Sequence, residues 1–241
     1  MSIRFENVSK SFGSKVILKD VSFEVERGEI LFILGKSGMG KSVTLKHIVG
    51  VLKPDSGQVF VDLAEVSQMG EEALAGIRKH CGMVFQHPAL LDSLNVLENV
   101  GFGIRDRAPE EIRKIVLEKL KLVHLGEDLL GRFPPSLSYG MQKRVSLART
   151  LAPAPEYLLF DEPTTGLDPI TTNAINALIL ELSRKLRVTS IVVSHDMHCA
   201  LAIADRILVL DQGGIRALGT VAEIKKSRDE LVCDFLSEVS P

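Results

Sequence analysis

The segment Gly35-Lys36-Ser37-Gly38-Met39-Gly40-Lys41-Ser42 constrains the fold more than any other stretch of the chain. It follows Glu29 to Leu34, a continuous apolar run of the kind that forms a strand buried on both faces. It precedes a segment in which Leu45, Ile48 and Val49 share one helical face. Strand, glycine-rich turn and helix, with the spacing G-x-x-x-x-G-K-[ST], form a phosphate-binding loop. Glycines let successive backbone N–H groups turn toward one anion, and the new helix adds roughly half a positive charge at its N-terminus. Lys41 supplies a mobile charge for the terminal phosphates and Ser42 a hydroxyl for Mg²⁺. With Val43, the predicted nucleotide-contacting stretch runs from residue 35 to residue 43.

A second site lies at Tyr157-Leu158-Leu159-Phe160-Asp161-Glu162, an apolar strand that ends in two carboxylates. Asp161 is expected to hold Mg²⁺ through its water shell, because Mg²⁺ gives up water reluctantly. Glu162 is expected to be the general base for an attacking water.

Around these motifs strands and helices alternate. Val21, Phe23 and Val25 fall two apart, as in a half-buried strand. Residues 57–61 and 81–85 are further strand segments, and residues 71–79 form a helix. Pro109, with Glu110 and Glu111 behind it, opens a helix whose inner stripe is Ile112, Ile115, Val116, Leu120 and Val123. Strands at 157–161 and 189–194 flank a helix over 170–186. Asp211-Gln212-Gly213-Gly214 marks a hairpin. The tail carries Leu231, Val232, Phe235 and Leu236 as one stripe. It is expected to pack on its own domain, with a second copy or an accessory subunit as the other possible partners. The pattern is a single parallel α/β domain with core segments 1–86 and 152–226, a helical insert over 87–151 and a tail over 227–241. Ligands bind such sheets at the carboxyl ends of the strands.

Composition removes several function classes. The formal charge is −2, there is no Trp and there are only two Tyr, so neither a basic footprint nor a stacking platform for nucleic acid is present. No apolar run approaches the roughly 18–20 residues of a membrane span, and the N-terminal residues lack the apolar core of a signal peptide. Cys81, Cys199 and Cys233 form no C-x-x-C pair. Each is expected as a small buried residue in a reducing cytoplasm. His47, His80, His87, His124 and His198 show no metal-ligand spacing.

Five further segments complete a set. Leu137-Ser138-Tyr139-Gly140-Met141-Gln142 is similar to the LSGGQ signature, Gln86 to the Q-loop glutamine, and Thr165-Gly166-Leu167-Asp168 to the D-loop. His195 in Ser194-His195-Asp196 is similar to the switch histidine, and Phe12 stands where an adenine-stacking aromatic would. In this order, and over essentially the whole length, the sequence resembles the nucleotide-binding subunit of ATP-binding cassette (ABC) transporters. The resemblance implies a P-loop NTPase fold: a RecA-like α/β core with an N-terminal antiparallel β part and an inserted α-helical subdomain. It implies an ATPase using ATP and Mg²⁺, with catalytic Glu162, His195 and Lys41. Mg²⁺ would be held at Ser42, Gln86 and Asp161. Ser138 and Gly140 would meet the γ-phosphate bound to a second copy in a head-to-tail homodimer, with Asp168 linking the two sites. Tyr139 departs from the pattern, which has glycine there; the side chain is tolerable if its φ is negative.

Ser42-Val43-Thr44-Leu45-Lys46-His47-Ile48-Val49-Gly50, Gly82 to Gln86, Ala89 to Val96 and Gly166 to Thr171 are similar to one branch, the ATPases of the maintenance-of-lipid-asymmetry (Mla) and Mce-associated transporters. That branch implies lipid movement across the bacterial envelope. The partners would be an integral-membrane permease, a periplasmic MCE-type lipid-binding protein and a small accessory cytoplasmic subunit. The chain would sit at the cytoplasmic face of the inner membrane, attached through the permease. With the chain ending at Pro241, a long tail wrapped round a neighbour is not expected. The alternatives are an importer ATPase for a small solute such as an amino acid, and a non-transport regulatory ABC protein. A GTPase is excluded by the lack of an Asn-Lys-x-Asp guanine reader.

Overall fold

The computed structural model describes residues 2–239; Met1 of the expected core and Ser240 and Pro241 of the expected tail lie outside the described residues. Alternating apolar residues near the N-terminus build strands β1 (Ile3–Phe12) and β2 (Lys15–Val25). They pair antiparallel, with Ile3 opposite Val25, Phe5 opposite Phe23 and Val8 opposite Val21. The Phe5 and Phe23 rings stack with centroids 4.6 Å apart. After β3 (Ile30–Leu34), β4 (Ser56–Val61) and β5 (Ala64–Glu65) complete this antiparallel sheet in the order β2-β1-β4-β5.

The second sheet takes β3 with β6 (Cys81–Val84), β7 (Tyr157–Asp161), β8 (Thr189–Ser194), β9 (Arg206–Asp211) and β10 (Gly214–Thr220). Its order is β10-β9-β3-β8-β7-β6. It is parallel except for the β9–β10 hairpin at one edge. The continuous apolar runs follow from its position between two cores. Ile30, Phe32 and Leu34 enter the core shared with the helical insert, while Leu31 and Ile33 enter the core shared with the antiparallel sheet. β7 divides the same way, Leu158 and Phe160 to one side and Tyr157 and Leu159 to the other. A strand apolar at every position is what a period-two element needs when both faces are buried.

Helix α1 (Lys41–Ile48) follows the glycine-rich turn and α2 (Glu71–His80) precedes β6. The insert consists of α3 (Val96–Gly101), α4 (Pro109–Leu122) and α5 (Tyr139–Leu151). Asn95 and Glu98 form a reciprocal capping box at the start of α3. α4 opens on Pro109 as expected and buries Val116 and Leu120. The chain continues through α6 (Pro169–Leu186), α7 (Met197–Ile203), α8 (Val221–Ile224) and α9 (Glu230–Ser237). The tail helix α9 is capped by Asp229 and buries Val232 and Phe235 in the core shared with the insert. Its apolar stripe is therefore covered by its own domain.

The cysteine expectation needs one correction. Cys199 is buried and Cys81 half-buried, but Cys233 is exposed, on the outer side of α9. Burial pushes the Cys81 and Cys199 thiols up to about 12.

His47 carries a pH signature into the fold. It is buried in α1, its Nδ1 lies 2.7 Å from the Val43 carbonyl, and its Nε2 has no hydrogen-bond partner among the described residues. Desolvation holds its pKa below the ordinary 6.5, against the Val43 carbonyl and Asp55, which favour the cation. The folded chain thus keeps His47 neutral where the unfolded chain already binds a proton. Its contribution to stability is complete above the unfolded value and is lost as the pH falls through the folded one. Melting curves between about pH 5.5 and 7.5 should show stability declining on acidification, and a His47→Leu variant should flatten that slope. An unchanged slope would assign the acid sensitivity elsewhere.

Candidate nucleotide site

The site is assembled at the carboxyl ends of the parallel strands, where the sheet leaves loops and helix N-termini facing one cleft. The phosphate loop follows β3. Gly40 has φ 94°, and a Cβ there would lie 2.8 Å from Leu18 Cδ2 and 2.9 Å from the Ile17 carbonyl. A left-handed conformation and a backbone in direct contact both require glycine. The Lys41 ammonium, buried, donates to the carbonyls of Gly35 at 2.7 Å and Lys36 at 3.2 Å. It also lies 3.3 Å from Glu162 Oε1.

β7 delivers the two carboxylates. Ser42 Oγ donates to Asp161 Oδ1 at 2.7 Å, which joins the loop's hydroxyl to the strand's first carboxylate. Glu162 has φ 49°, left-handed for a residue with a side chain, a conformation that costs on the order of 1–3 kcal/mol and collects at functional sites. Its backbone N–H donates to the Val193 carbonyl at 3.0 Å, which ties it to β8. Its Oε2 accepts from Thr165 Oγ at 2.9 Å and lies 3.0 Å from His195 Nδ1. Glu162 thus bridges the Lys41 cation and the His195 ring.

A cleft of about 720 Å³ opens over these groups. Of the sequence-predicted residues, Lys36, Ser37, Gly38, Gly40, Lys41, Ser42, Val43, Gln86, Glu162 and His195 line it. Gly35 and Asp161 stand just behind, bonded to Lys41 and Ser42, and Met39 packs beside Gly35. Phe12 does not line it: the ring is half exposed at the end of β1, with the Lys10 ammonium 5.6 Å from its centroid. Lys15 and Ile17 of the paired strand occupy the wall instead, and Thr165, Phe235 and Glu238 join them. Thr165 was within sequence reach, as part of the segment that contains Asp168. No local pattern marked Phe235 or Glu238.

Ser138, Gly140 and Asp168 stand apart from this cleft. Ser138 caps α5 by accepting from Met141 N–H at 3.3 Å. Tyr139 is the first residue of that helix and is absent from the positive-φ positions, so the backbone carries no strain there. Asp168 caps α6 through Thr171 N–H at 3.0 Å and accepts from the Thr171 hydroxyl at 2.6 Å. These bonds, the hydroxyl first, hold its carboxyl below the usual range. A Cβ on Gly140 would lie 3.3 Å from Thr171 Cγ2, so the two helix starts form one edge.

Residues 18–165, more than half of the chain, match the family model described as ABC transporter. The chain belongs to the ABC transporter family. Among curated relatives, this ABC ATPase is 39% identical over 97% of its length to the intermembrane phospholipid transport system ATP-binding protein MlaF of Haemophilus influenzae, covering 89% of that protein. It is 40% identical to the sulfate/thiosulfate import ATP-binding protein CysA of Rhodopseudomonas palustris, over 99% of this chain and 69% of that one. The probable ribonucleotide transport ATP-binding protein of Mycobacterium leprae is 36% identical over 98% of this chain and 69% of its own. Among solved structures, a dimeric post-hydrolysis ATP-binding cassette bound to ADP and Pi superposes with TM-score 0.82 at 34% identity, covering 91% of this chain and 98% of that one. CbiO1 from Clostridium perfringens gives TM-score 0.86 at 31% identity, over 97% and 94%. This ABC ATPase binds ATP and uses Mg²⁺ in its hydrolysis. The P-loop α/β fold expected from the sequence is the one observed.

The donor set fits that cofactor. Among the described residues no group of three or more His, Cys, Asp or Glu side chains could hold a metal. Ser42 and Asp161 supply two hard oxygens already in contact. A cation held by two such ligands completes its shell with phosphate oxygens and water, the manner in which Mg²⁺ is usually bound. Among the described residues no helix is long and apolar enough to cross a membrane.

Proposed function

We propose that the chain powers a bacterial envelope transporter that moves phospholipid or another lipid, acting as a head-to-tail homodimer beneath a separate permease. The observation that carries this reading is the likeness to the phospholipid transport ATPase, 39% identical over 97% of this chain, taken with the segments Ser42 to Gly50, Gly82 to Gln86, Ala89 to Val96 and Gly166 to Thr171 that resemble the Mla and Mce-associated branch. The chain then works at the cytoplasmic face of the inner membrane, held by the permease, with an MCE-type lipid-binding protein beyond it and a small accessory subunit beside it. Residues 1–86 and 152–226 act as the nucleotide core, 87–151 as the signature subdomain and 227–241 as the tail.

In this reading the backbone N–H groups of residues 35–43 and the Lys41 ammonium bind the phosphates. Lys41 leaves the Gly35 and Lys36 carbonyls to do so. Ser42 and Asp161 hold Mg²⁺, with Gln86 at the edge of the site. Bound there, the cation neutralises charge developing on the phosphoryl oxygens. Glu162 takes a proton from water as the water oxygen bonds to the γ-phosphorus and the bond to the β-phosphate oxygen breaks. His195, 3.0 Å from Glu162, steadies that carboxylate and faces the γ-phosphate. The hydroxyl of Ser138 and the helix start at Gly140 form a second anion site. Neither lines the chain's own cleft, so they serve the nucleotide of the second copy, and Asp168 links the two sites. The partner's γ-phosphate contact gives the closed dimer its ATP dependence.

The test is a gentle-detergent pull-down of the tagged protein from its native membranes, read by mass spectrometry. Recovery of a multi-span permease with an MCE-domain protein supports lipid transport. A permease with a periplasmic solute-binding protein replaces it with small-solute import, which the 40% identity to the sulfate importer ATPase favours as the second reading. Recovery of no membrane protein favours a regulatory role.

A further inference from the structure

Lys143 is almost completely buried in α5, with 3% of its surface exposed. Burying an ammonium is costly unless every N–H finds an acceptor and the charge a partner. Among the described residues no carboxylate forms an ion pair with this one. Its acceptors are three main-chain carbonyls from two loops: Gln86, Phe85 at 3.5 Å and Pro163 at 3.0 Å. Gln86 and Phe85 follow β6, and Pro163 follows Glu162 directly in sequence. Burial brings the lysine down to about 8.

Tyr139 acts on the same point. Its hydroxyl donates to the Gln86 carbonyl at 3.3 Å, and its ring centroid lies 5.7 Å from the Lys143 ammonium. At that separation the ring face still attracts a cation. Gln86 O therefore accepts from two side chains one helical turn apart on α5, and a single cation ties the Gln86 loop to the Glu162 loop. Apolar packing alone would fill this volume without a desolvated charge. What lysine adds is a fixed distance between two loops whose side chains line one cleft.

We propose that Lys143, assisted by Tyr139, is a positioning residue for ATP hydrolysis: it fixes the backbones that carry Gln86 and Glu162 relative to each other and to the start of α5. The pair does not touch nucleotide. Its effect belongs to the chemical step rather than to nucleotide binding, which depends on residues 35–43. The proposal rests on the catalytic reading of Glu162 given above.

The experiment compares Lys143→Met, Lys143→Arg and Tyr139→Phe with the unaltered chain, each assembled with its permease, for kcat and KM of ATP hydrolysis, ADP affinity and melting temperature. Misplacement of reacting groups by about 1 Å can cost on the order of 10²-fold. Lys143→Met should lower kcat by about that factor while ADP affinity stays within about twofold. Arginine, which keeps the charge and the donors, should recover about a tenth of the activity or more, and Tyr139→Phe should lose a few-fold. A Lys143→Met chain with kcat within about twofold of the original overturns the proposal. So does a joint fall of kcat, ADP affinity and melting temperature that arginine does not repair, since that marks a purely structural lysine. Glu162→Gln run alongside separates the two ideas. If that variant hydrolyses ATP normally, the catalytic reading fails; if it is inactive while Lys143→Met is unaffected, only the positioning proposal fails.

Discussion

Glu162→Gln should lose ATP hydrolysis by about 10²–10⁴-fold, the usual contribution of a positioned general base, while ATP still binds. The amide keeps the length and shape of the side chain and can still meet the Thr165 hydroxyl and the His195 ring, which lie 2.9 and 3.0 Å from the carboxylate. It cannot take a proton from water at neutral pH. Because hydrolysis is what reopens the proposed dimer, the variant should accumulate as an ATP-bound pair of chains, seen as a doubled mass by light scattering. A variant that remains monomeric in ATP and hydrolyses it at the original rate would remove Glu162 from the role assigned to it.

Lys41→Met is expected to act earlier, on binding. The ammonium now spends its N–H groups on the Gly35 and Lys36 carbonyls and stands ready for two phosphate oxygens. A hydrogen bond to a charged group contributes about 1.5–3 kcal/mol. Losing two weakens MgATP binding by about 3–6 kcal/mol, or roughly 10²–10⁴-fold in Kd. Methionine covers a similar stem, so the melting temperature should move little. Titration calorimetry reads the difference, and a Kd within about threefold of the original would show that backbone N–H groups alone hold the phosphates.

How much of this was legible in the sequence depended on whether the information was local. The phosphate loop was complete in eight residues, because strand, turn and helix are consecutive and the loop makes its own geometry. The buried strands were legible because an element covered on both faces is apolar at every position, as in Ile30–Leu34. Partnering was not. Residues 56–61 look like any other short strand, yet they join β1 in the antiparallel sheet rather than the parallel one. An apolar pattern reports burial and says nothing of the neighbour. The same limit applied in the site. Lys41 was identifiable from the phosphate-loop motif, Asp161 and Glu162 as carboxylates at the end of an apolar strand, and His195 from the family resemblance. Phe12 was chosen by its place in the family pattern; it is not among the residues that line the cleft, to which the paired strand contributes Lys15 and Ile17. Phe235 and Glu238 reach it only because the tail packs back across the domain, a contact spanning nearly the whole chain. Tyr139 looked like a defect in a glycine motif, and its partners on Gln86 and Lys143 appear only in three dimensions.

The exposed Cys233 has a practical use. Cys81 and Cys199 stay protonated, with thiols raised to about 12 by burial, and they are poorly nucleophilic for that reason. A maleimide dye added near neutral pH should therefore label Cys233 selectively, without any cysteine having to be removed. The label would sit on α9, whose Phe235 forms part of the nucleotide cleft two residues away in sequence. The wild-type chain thus carries its own attachment point for a fluorescent reporter of nucleotide occupancy.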